Sequence, residues 1–178
     1  GVYILISGGH LTVNAAGDGL DSNGDLTVTG GEVYISGPTS DGDGALDYAG
    51  TGTITGGILI AAGFSGMAQS LSSDAQGVML LMLSGAQSAG SAVTVKDADG
   101  TVLASFTPEK SYTSVVISAP GMESGGTYTV ECGGESRSVT LEGCTYSEGG
   151  FGDFGGGMPG GMGGGRPNGD FSGERPDG

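Results

Sequence analysis

The chain repeats one short signature: Ser or Thr, then Gly-Gly, then an alternating apolar run. It reads Ile6-Ser7-Gly8-Gly9-His10-Leu11-Thr12-Val13, then Val28-Thr29-Gly30-Gly31-Glu32-Val33-Tyr34-Ile35, then Ile54-Thr55-Gly56-Gly57-Ile58-Leu59-Ile60-Ala61. The offsets are 22 residues (6 to 28) and 26 residues (28 to 54). A period of roughly 20–50 residues marks a solenoid or an array. Alternation means a half-buried strand, and Gly-Gly permits a corner at positive φ. A β-hairpin would use the same residue types. Against it, matching residues recur at coil spacing. Ile6, Val28 and Ile54 share one register; Leu11, Val33 and Leu59 share a second; Leu20, Leu46 and Met67 share a third. Stacked as inward ladders about 4.8 Å apart, they predict an all-β chain led by a right-handed parallel β-helix of about three coils.

Composition supports a strand-built chain. Forty-one of 178 residues are Gly, and each interior Gly costs a helix about 1 kcal/mol relative to Ala. The net charge is −15, and it is unevenly spread. Asp18, Asp21, Asp25, Glu32, Asp41, Asp43, Asp47 and Asp74 all precede the first basic residue, Lys96. Such a surface attracts cations and makes nucleic acid a poor partner, since phosphate contacts need Lys and Arg. No apolar run reaches the ~18 residues of a membrane span. The sequence starts inside an apolar run, Val2-Tyr3-Ile4-Leu5-Ile6, whereas a solenoid end normally carries a cap. The expectation is an N-terminally truncated helix, with further coils and any signal peptide lying upstream.

Three regions follow. Residues 1–75 carry the coils. Residues 76–148 lose the signature and keep short strands, with Lys96-Asp97-Ala98-Asp99-Gly100 as a hairpin turn by residue type. They predict an antiparallel β unit capping the open coil end, which would otherwise expose a strand edge. Residues 149–178 are a Gly-rich tail with too few apolar residues to offset ordering entropy, and are expected to be disordered.

Chemistry concentrates in the aspartates. Asp21 and Asp47 fall at equivalent places in successive coils, and like charges opposite each other destabilise a strand pair. Asp21-Ser22-Asn23-Gly24-Asp25 offers side-chain oxygens at alternate positions, and an insertion, Ser36 to Asp43, brings two further carboxylates, Asp41 and Asp43, towards the same edge. Ca²⁺ takes six to eight such oxygens. Asp18, Asp21, Asn23, Asp25, Asp43 and Asp47 are therefore the candidate ligands. The competing reading is that Asp and Asn form turns by accepting nearby amides. An EF-hand is excluded, because Leu26 occupies its glycine position and no helices flank the loop. Tyr34 and Tyr48 are candidate sugar platforms, or surface packing residues. His10 is the only histidine and lacks a triad setting. Cys132 and Cys144 are close in sequence; a disulfide would suit an exported protein, and two free thiols are the alternative.

Several stretches resemble the exported carbohydrate-binding-domain proteins of clostridia and related gut bacteria. They are Thr29-Gly30-Gly31 with its Val-x-Ile, Gly17-Asp18-Gly19-Leu20-Asp21-Ser22-Asn23-Gly24, Ser36-Gly37-Pro38-Thr39, Gly44-Ala45-Leu46-Asp47-Tyr48, Ser105-Phe106-Thr107-Pro108-Glu109-Lys110 and the Met-Pro tail. The resemblance implies a pectate-lyase-like right-handed parallel β-helix, calcium at the aspartates, and an extracellular or cell-surface protein. It also implies binding to plant cell-wall polysaccharide such as pectin (polygalacturonate) or cellulose. The sequence departs from the family in lacking the N-terminal coils.

Three function classes remain: a non-catalytic calcium-dependent binding module, a pectate-lyase-like enzyme, and a purely structural or adhesive surface protein. A lyase needs a base for the proton α to the sugar carboxylate, commonly Arg or Lys, and the coils hold neither. The binding module is the expected class.

Overall fold

The computed structural model describes residues 1–149; the expected disordered tail lies almost wholly outside them. The described chain is all-β, with no helix among the described residues. The strands are β1 (Tyr3–Asn14), β2 (Leu20–Ser22), β3 (Asp25–Ser36), β4 (Leu46–Tyr48), β5 (Gly52–Ile54), β6 (Ile58–Gly63) and β7 (Val78–Gln87). They continue with β8 (Val93–Lys96), β9 (Val102–Phe106), β10 (Tyr112–Ser118), β11 (Thr127–Cys132), β12 (Glu135–Thr140) and β13 (Thr145–Ser147).

The Gly-Gly signature sets the first part. β1, β3 and β6 pair in parallel, with Leu11 opposite Val33 and Val33 opposite Leu59. Ile6 faces Val28, and Val28 faces Ile54 on β5. Two of the expected ladders therefore stand in register. The third runs from Leu20 to Leu46 across the parallel pair β2–β4 and stops; Met67 lies in a turn, and buried Ala68 and Leu71 fill the interior there. At each corner the second glycine has positive φ: +85° at Gly9 and +90° at Gly31 and Gly57. A Cβ on Gly57 would sit 2.6 Å from the carbonyl oxygen of Gly31. Stacked corners thus need glycine both for φ and for close backbone approach. The corner shifts the alternation phase: Leu26 and Val28 point inward before it, Val33 and Ile35 after it.

The large sheet is mixed rather than uniformly parallel. β10 pairs antiparallel with β6, β7 pairs antiparallel with β10, and β13 adds in parallel to β7. Two segments expected in a single antiparallel unit, Val78–Leu83 and Ser114–Ile117, thus extend the sheet of the coils. The reason is coverage of both faces. Leu59, Ala61, Val78, Leu80 and Val116 face the coil interior, while Ile60, Ala62, Met79, Leu81, Val115 and Ile117 face a second core. A strand covered on both sides reads as a continuous apolar run, as Val78–Leu81 does. The second core is closed by an antiparallel four-stranded sheet in the order β12-β11-β8-β9. Its β8–β9 turn is the expected one, with Asp97 Oδ1 accepting the amides of Asp99 and Thr101.

The expected Cys132–Cys144 disulfide is absent: both cysteines are free. Cys132 ends β11 and pairs with Val93 and Glu135 in the four-stranded sheet. Cys144 precedes β13, and its carbonyl accepts the Val78 amide in the other sheet. Nearness in sequence separates them across two layers.

Candidate cation and glycan site

The turns between coils collect the aspartates. Asp18 Oδ1 accepts the Gly44 amide at 2.7 Å, and Asp25 Oδ1 accepts the Thr51 amide at 2.8 Å. Asp41 repeats the pattern with the Gly66 amide at 3.1 Å. In each case a carboxylate of one coil caps a donor of the next, so two of the six candidate ligands carry the turn-forming role. Asp43 accepts the Ser40 hydroxyl. Asn23 is exposed in the bend between β2 and β3.

Asp21 and Asp47 differ from these. They are directly opposite each other in the β2–β4 pair, as their equivalence predicts. Burial pushes the Asp47 carboxyl above the usual carboxylate range, and the charges of Asp18 and Asp21 push it further. Three carboxylates therefore share one electrostatic neighbourhood on this edge. The six candidates do not converge into one cage: among the described residues no group of three or more His, Cys, Asp or Glu side chains is placed to hold a metal. The donor chemistry suits a hard cation in part. Asp21 and Asp47 could supply carboxylate oxygens from adjacent coils, with the remainder coming from carbonyls and water.

Cations are scarce and occupied. Lys96 Nζ pairs with Glu131 Oε1 at 2.8 Å. Lys110 Nζ donates to the Ala15 carbonyl. Arg137 joins Glu135 and Glu148. The Ser84 hydroxyl, Arg137 and the Ser84 amide hold the Glu135 carboxyl below its usual range against the effect of burial. Each basic residue among the described ones thus has a fixed protein partner.

Both candidate tyrosines are packed. Tyr34 stacks on Phe106 of β9, with ring centroids 5.0 Å apart, and its ring lies 5.4 Å from that of His10. Burial and the Glu32 charge raise its phenol. Tyr48 donates its hydroxyl to the Ser70 carbonyl, and its ring fills the space where a Cβ on Gly52 would lie. His10 Nδ1 lies 3.0 Å from Glu32 Oε2, which ties adjacent coils on the outer face.

Sequence reasoning missed an open groove of about 450 Å³ lined by Thr53, Thr55, Ser72, Ser73 and Asp74. Thr53 stands opposite Thr27 in the parallel register and opposite Ser72 in an isolated bridge. The result is a row of hydroxyls across neighbouring strands. The outward alternation Thr27-x-Thr29 and Thr53-x-Thr55, repeated at coil spacing, was its signal. Ser72 carries no repeat mark, because it joins the row through a single bridge. Such a row can exchange hydrogen bonds with sugar hydroxyls. In comparisons with known proteins, the chain matches no family model, no curated protein and no solved structure.

Proposed function

We propose that the chain is a non-catalytic, calcium-dependent carbohydrate-binding module of an exported bacterial protein. Its coils are read as a right-handed parallel β-helix of about three turns, a reading supported by the parallel registers at offsets of 22 and 26 residues. The partner class is plant cell-wall polysaccharide, polygalacturonate or cellulose. The observation that carries the proposal is the stacked Asp21–Asp47 pair, on a surface where every described Lys and Arg already has a protein partner.

A polyanion approaching that surface meets carboxylates and, among the described residues, no free Lys or Arg. A bound Ca²⁺ would supply the missing positive charge and join sugar carboxylate to protein carboxylate. Asp21 and Asp47 would hold it, with Asp18 adding charge nearby. The hydroxyl row at Thr53, Thr55 and Ser72 would contact the sugar hydroxyls. Tyr34 and Tyr48 would contribute ring edges rather than open faces, because both are packed. The same pairing leaves none of the described Lys and Arg residues free for the role of a lyase base.

The test is a pull-down on insoluble polygalacturonate and on cellulose, with Ca²⁺ or with chelator, and a melting curve in each buffer. Polygalacturonate binding should require Ca²⁺, and cellulose binding should survive chelation while the protein stays folded. Undiminished polygalacturonate binding by folded protein in chelator would refute the bridge. Failure to retain either glycan would refute the module.

A further inference from the structure

The groove beside β5 is crossed by a ladder of hydroxyls. Thr27, Thr53 and Ser72 stand side by side on neighbouring segments, so Thr53 is flanked on both sides. Ser72, Ser73 and Asp74 line the groove opposite Thr53 and Thr55. Its volume of about 450 Å³ falls in the range of small-ligand sites, roughly 300–1,000 Å³. It is separate from the Asp21–Asp47 pair. β5 belongs to the large sheet, whereas β2 and β4 form a sheet of their own.

Where each hydroxyl proton goes decides what such a groove can take. The Ser72 hydroxyl donates to the Gly52 carbonyl at 2.8 Å, and the Thr53 hydroxyl donates to Thr27 Oγ1 at 3.3 Å. Both protons are used, and both oxygens are left as acceptors. Ser73 is the reverse. Its oxygen accepts the amides of Ala75 and Gln76 at 3.4 and 3.1 Å, which leaves its proton to donate. Among the described residues, no hydrogen bond or ion pair engages the side chains of Thr55 and Asp74. An ionised Asp has two oxygens that only accept. The groove's side chains therefore offer mainly acceptors, with Ser73 and Thr55 as the donors.

Asp74 stands apart from the turn-forming aspartates. Asp18, Asp25 and Asp41 each accept a backbone amide of the next coil, whereas Asp74 lines the groove. A ligand that suits these groups must bring protons and no negative charge. A uronate brings a carboxylate, which meets Asp74 and, among the described residues, no free Lys or Arg. A compact ammonium ion would satisfy Asp74 and leave unused a hydroxyl row whose members are about 4.8 Å apart. A neutral sugar chain satisfies both. Two adjacent hydroxyls donate to the Asp74 carboxylate, and hydroxyls further along the chain pair with the row. Hydrogen bonds to an ionised acceptor are roughly twice as strong as neutral ones.

We propose that this groove is a subsite for neutral hexose units, with Asp74 as the residue that selects them against uronates. The proposal rests on the carbohydrate-binding reading above and gives the neutral glycan a place apart from the calcium pair. The test is isothermal titration calorimetry of the full chain in Ca²⁺, with cellotetraose and separately with tetragalacturonate. Asp74→Ala should weaken cellotetraose binding about tenfold or more and leave both tetragalacturonate binding and the melting temperature unchanged. Thr55→Val, which keeps the side-chain shape, should weaken cellotetraose severalfold. Cellotetraose binding that depends on Asp74, with no tetragalacturonate binding, would support the subsite and refute the calcium bridge. Tetragalacturonate binding without cellotetraose binding would overturn the subsite and leave the bridge standing; loss of both would overturn the two together. The subsite would also fall if cellotetraose affinity were indifferent to Asp74→Ala, or if a glucosamine tetramer bound through Asp74 more tightly than cellotetraose, since charge rather than hydroxyl donation would then select the ligand.

Discussion

The coils and the four-stranded sheet bury similar apolar side chains by opposite means. In the coils, strands run parallel, corners stack backbone on backbone, and carboxylates of one coil cap amides of the next. In the four-stranded sheet, strands run antiparallel, and the β8–β9 turn stands clear of its surroundings: Gly100 has φ of +83° with nothing within 4 Å. The β11–β12 turn is tighter, since a Cβ on Gly133 would lie 2.4 Å from Gln87 Oε1. Charge divides the same way. The coils hold acids without Lys or Arg, whereas Lys96–Glu131 pairs acid with base across β8 and β11 of the second sheet. One region is thus built to tolerate, or to neutralise from outside, a charge that the other balances internally.

The largest expected contrast is chemical. Cys132 is buried in the core of the four-stranded sheet, and burial, with Glu135 adding to it, pushes its thiol up to about 12. Alkylation proceeds through the thiolate, so Cys132 should react roughly a thousandfold more slowly in the folded protein than after unfolding. The half-buried Cys144 should label first. Mass spectrometry after timed alkylation near neutral pH reads both. Rapid labelling of Cys132 in folded protein would mean that the second core opens readily.

Glycine substitutions sharpen the comparison. Gly57→Ala must accept φ near +90° and a Cβ 2.6 Å from the Gly31 oxygen. Strain and backbone displacement together should cost about 3 kcal/mol or more. Gly100→Ala meets strain alone and should cost about 1 kcal/mol. Urea unfolding of the two variants measures the gap. Equal losses would remove the distinction between stacked corners and free turns.

The smallest effect concerns pH. The folded-state pKa of Asp47 is raised, chiefly by burial and then by Asp18 and Asp21. Its contribution to stability is therefore most favourable below the unfolded value and is lost as pH rises through the folded one. Without calcium, Asp47→Asn should gain about 0.5 kcal/mol near neutrality and nothing at about pH 3. A loss at neutral pH would show that the carboxylate is held by favourable contacts.

The parallel ladders were legible because their physics repeats. Ile6, Val28 and Ile54 had to share a register once Gly-Gly recurred, and Asp21 had to face Asp47 once Leu20 faced Leu46. The antiparallel strands were legible one by one, through turns such as Asp97–Gly100. Their division between two sheets was not. The apolar run Val78–Leu81 does show double burial, but no local pattern says which layers cover it. The cysteines failed for a related reason: closeness in sequence does not reveal that β11 and β13 lie in different sheets. At the candidate site, residue types could not separate aspartates that accept a neighbouring amide, such as Asp18 and Asp25, from the opposed pair Asp21–Asp47. The platform reading of Tyr34 omitted Phe106, which comes from a strand 72 residues later (106 − 34).

The central claim is that the Asp21–Asp47 pair takes a divalent cation from solvent. A ligand that binds only the folded state stabilises it by mass action. Thermal melting of the full chain in Ca²⁺ and in excess chelator, beside the double variant Asp21→Asn with Asp47→Asn, tests this most directly. The wild type should melt several degrees lower in chelator, and the double variant should melt at the same temperature in both buffers. A wild-type transition that does not move with calcium would contradict the claim and leave these aspartates with a turn-forming role alone.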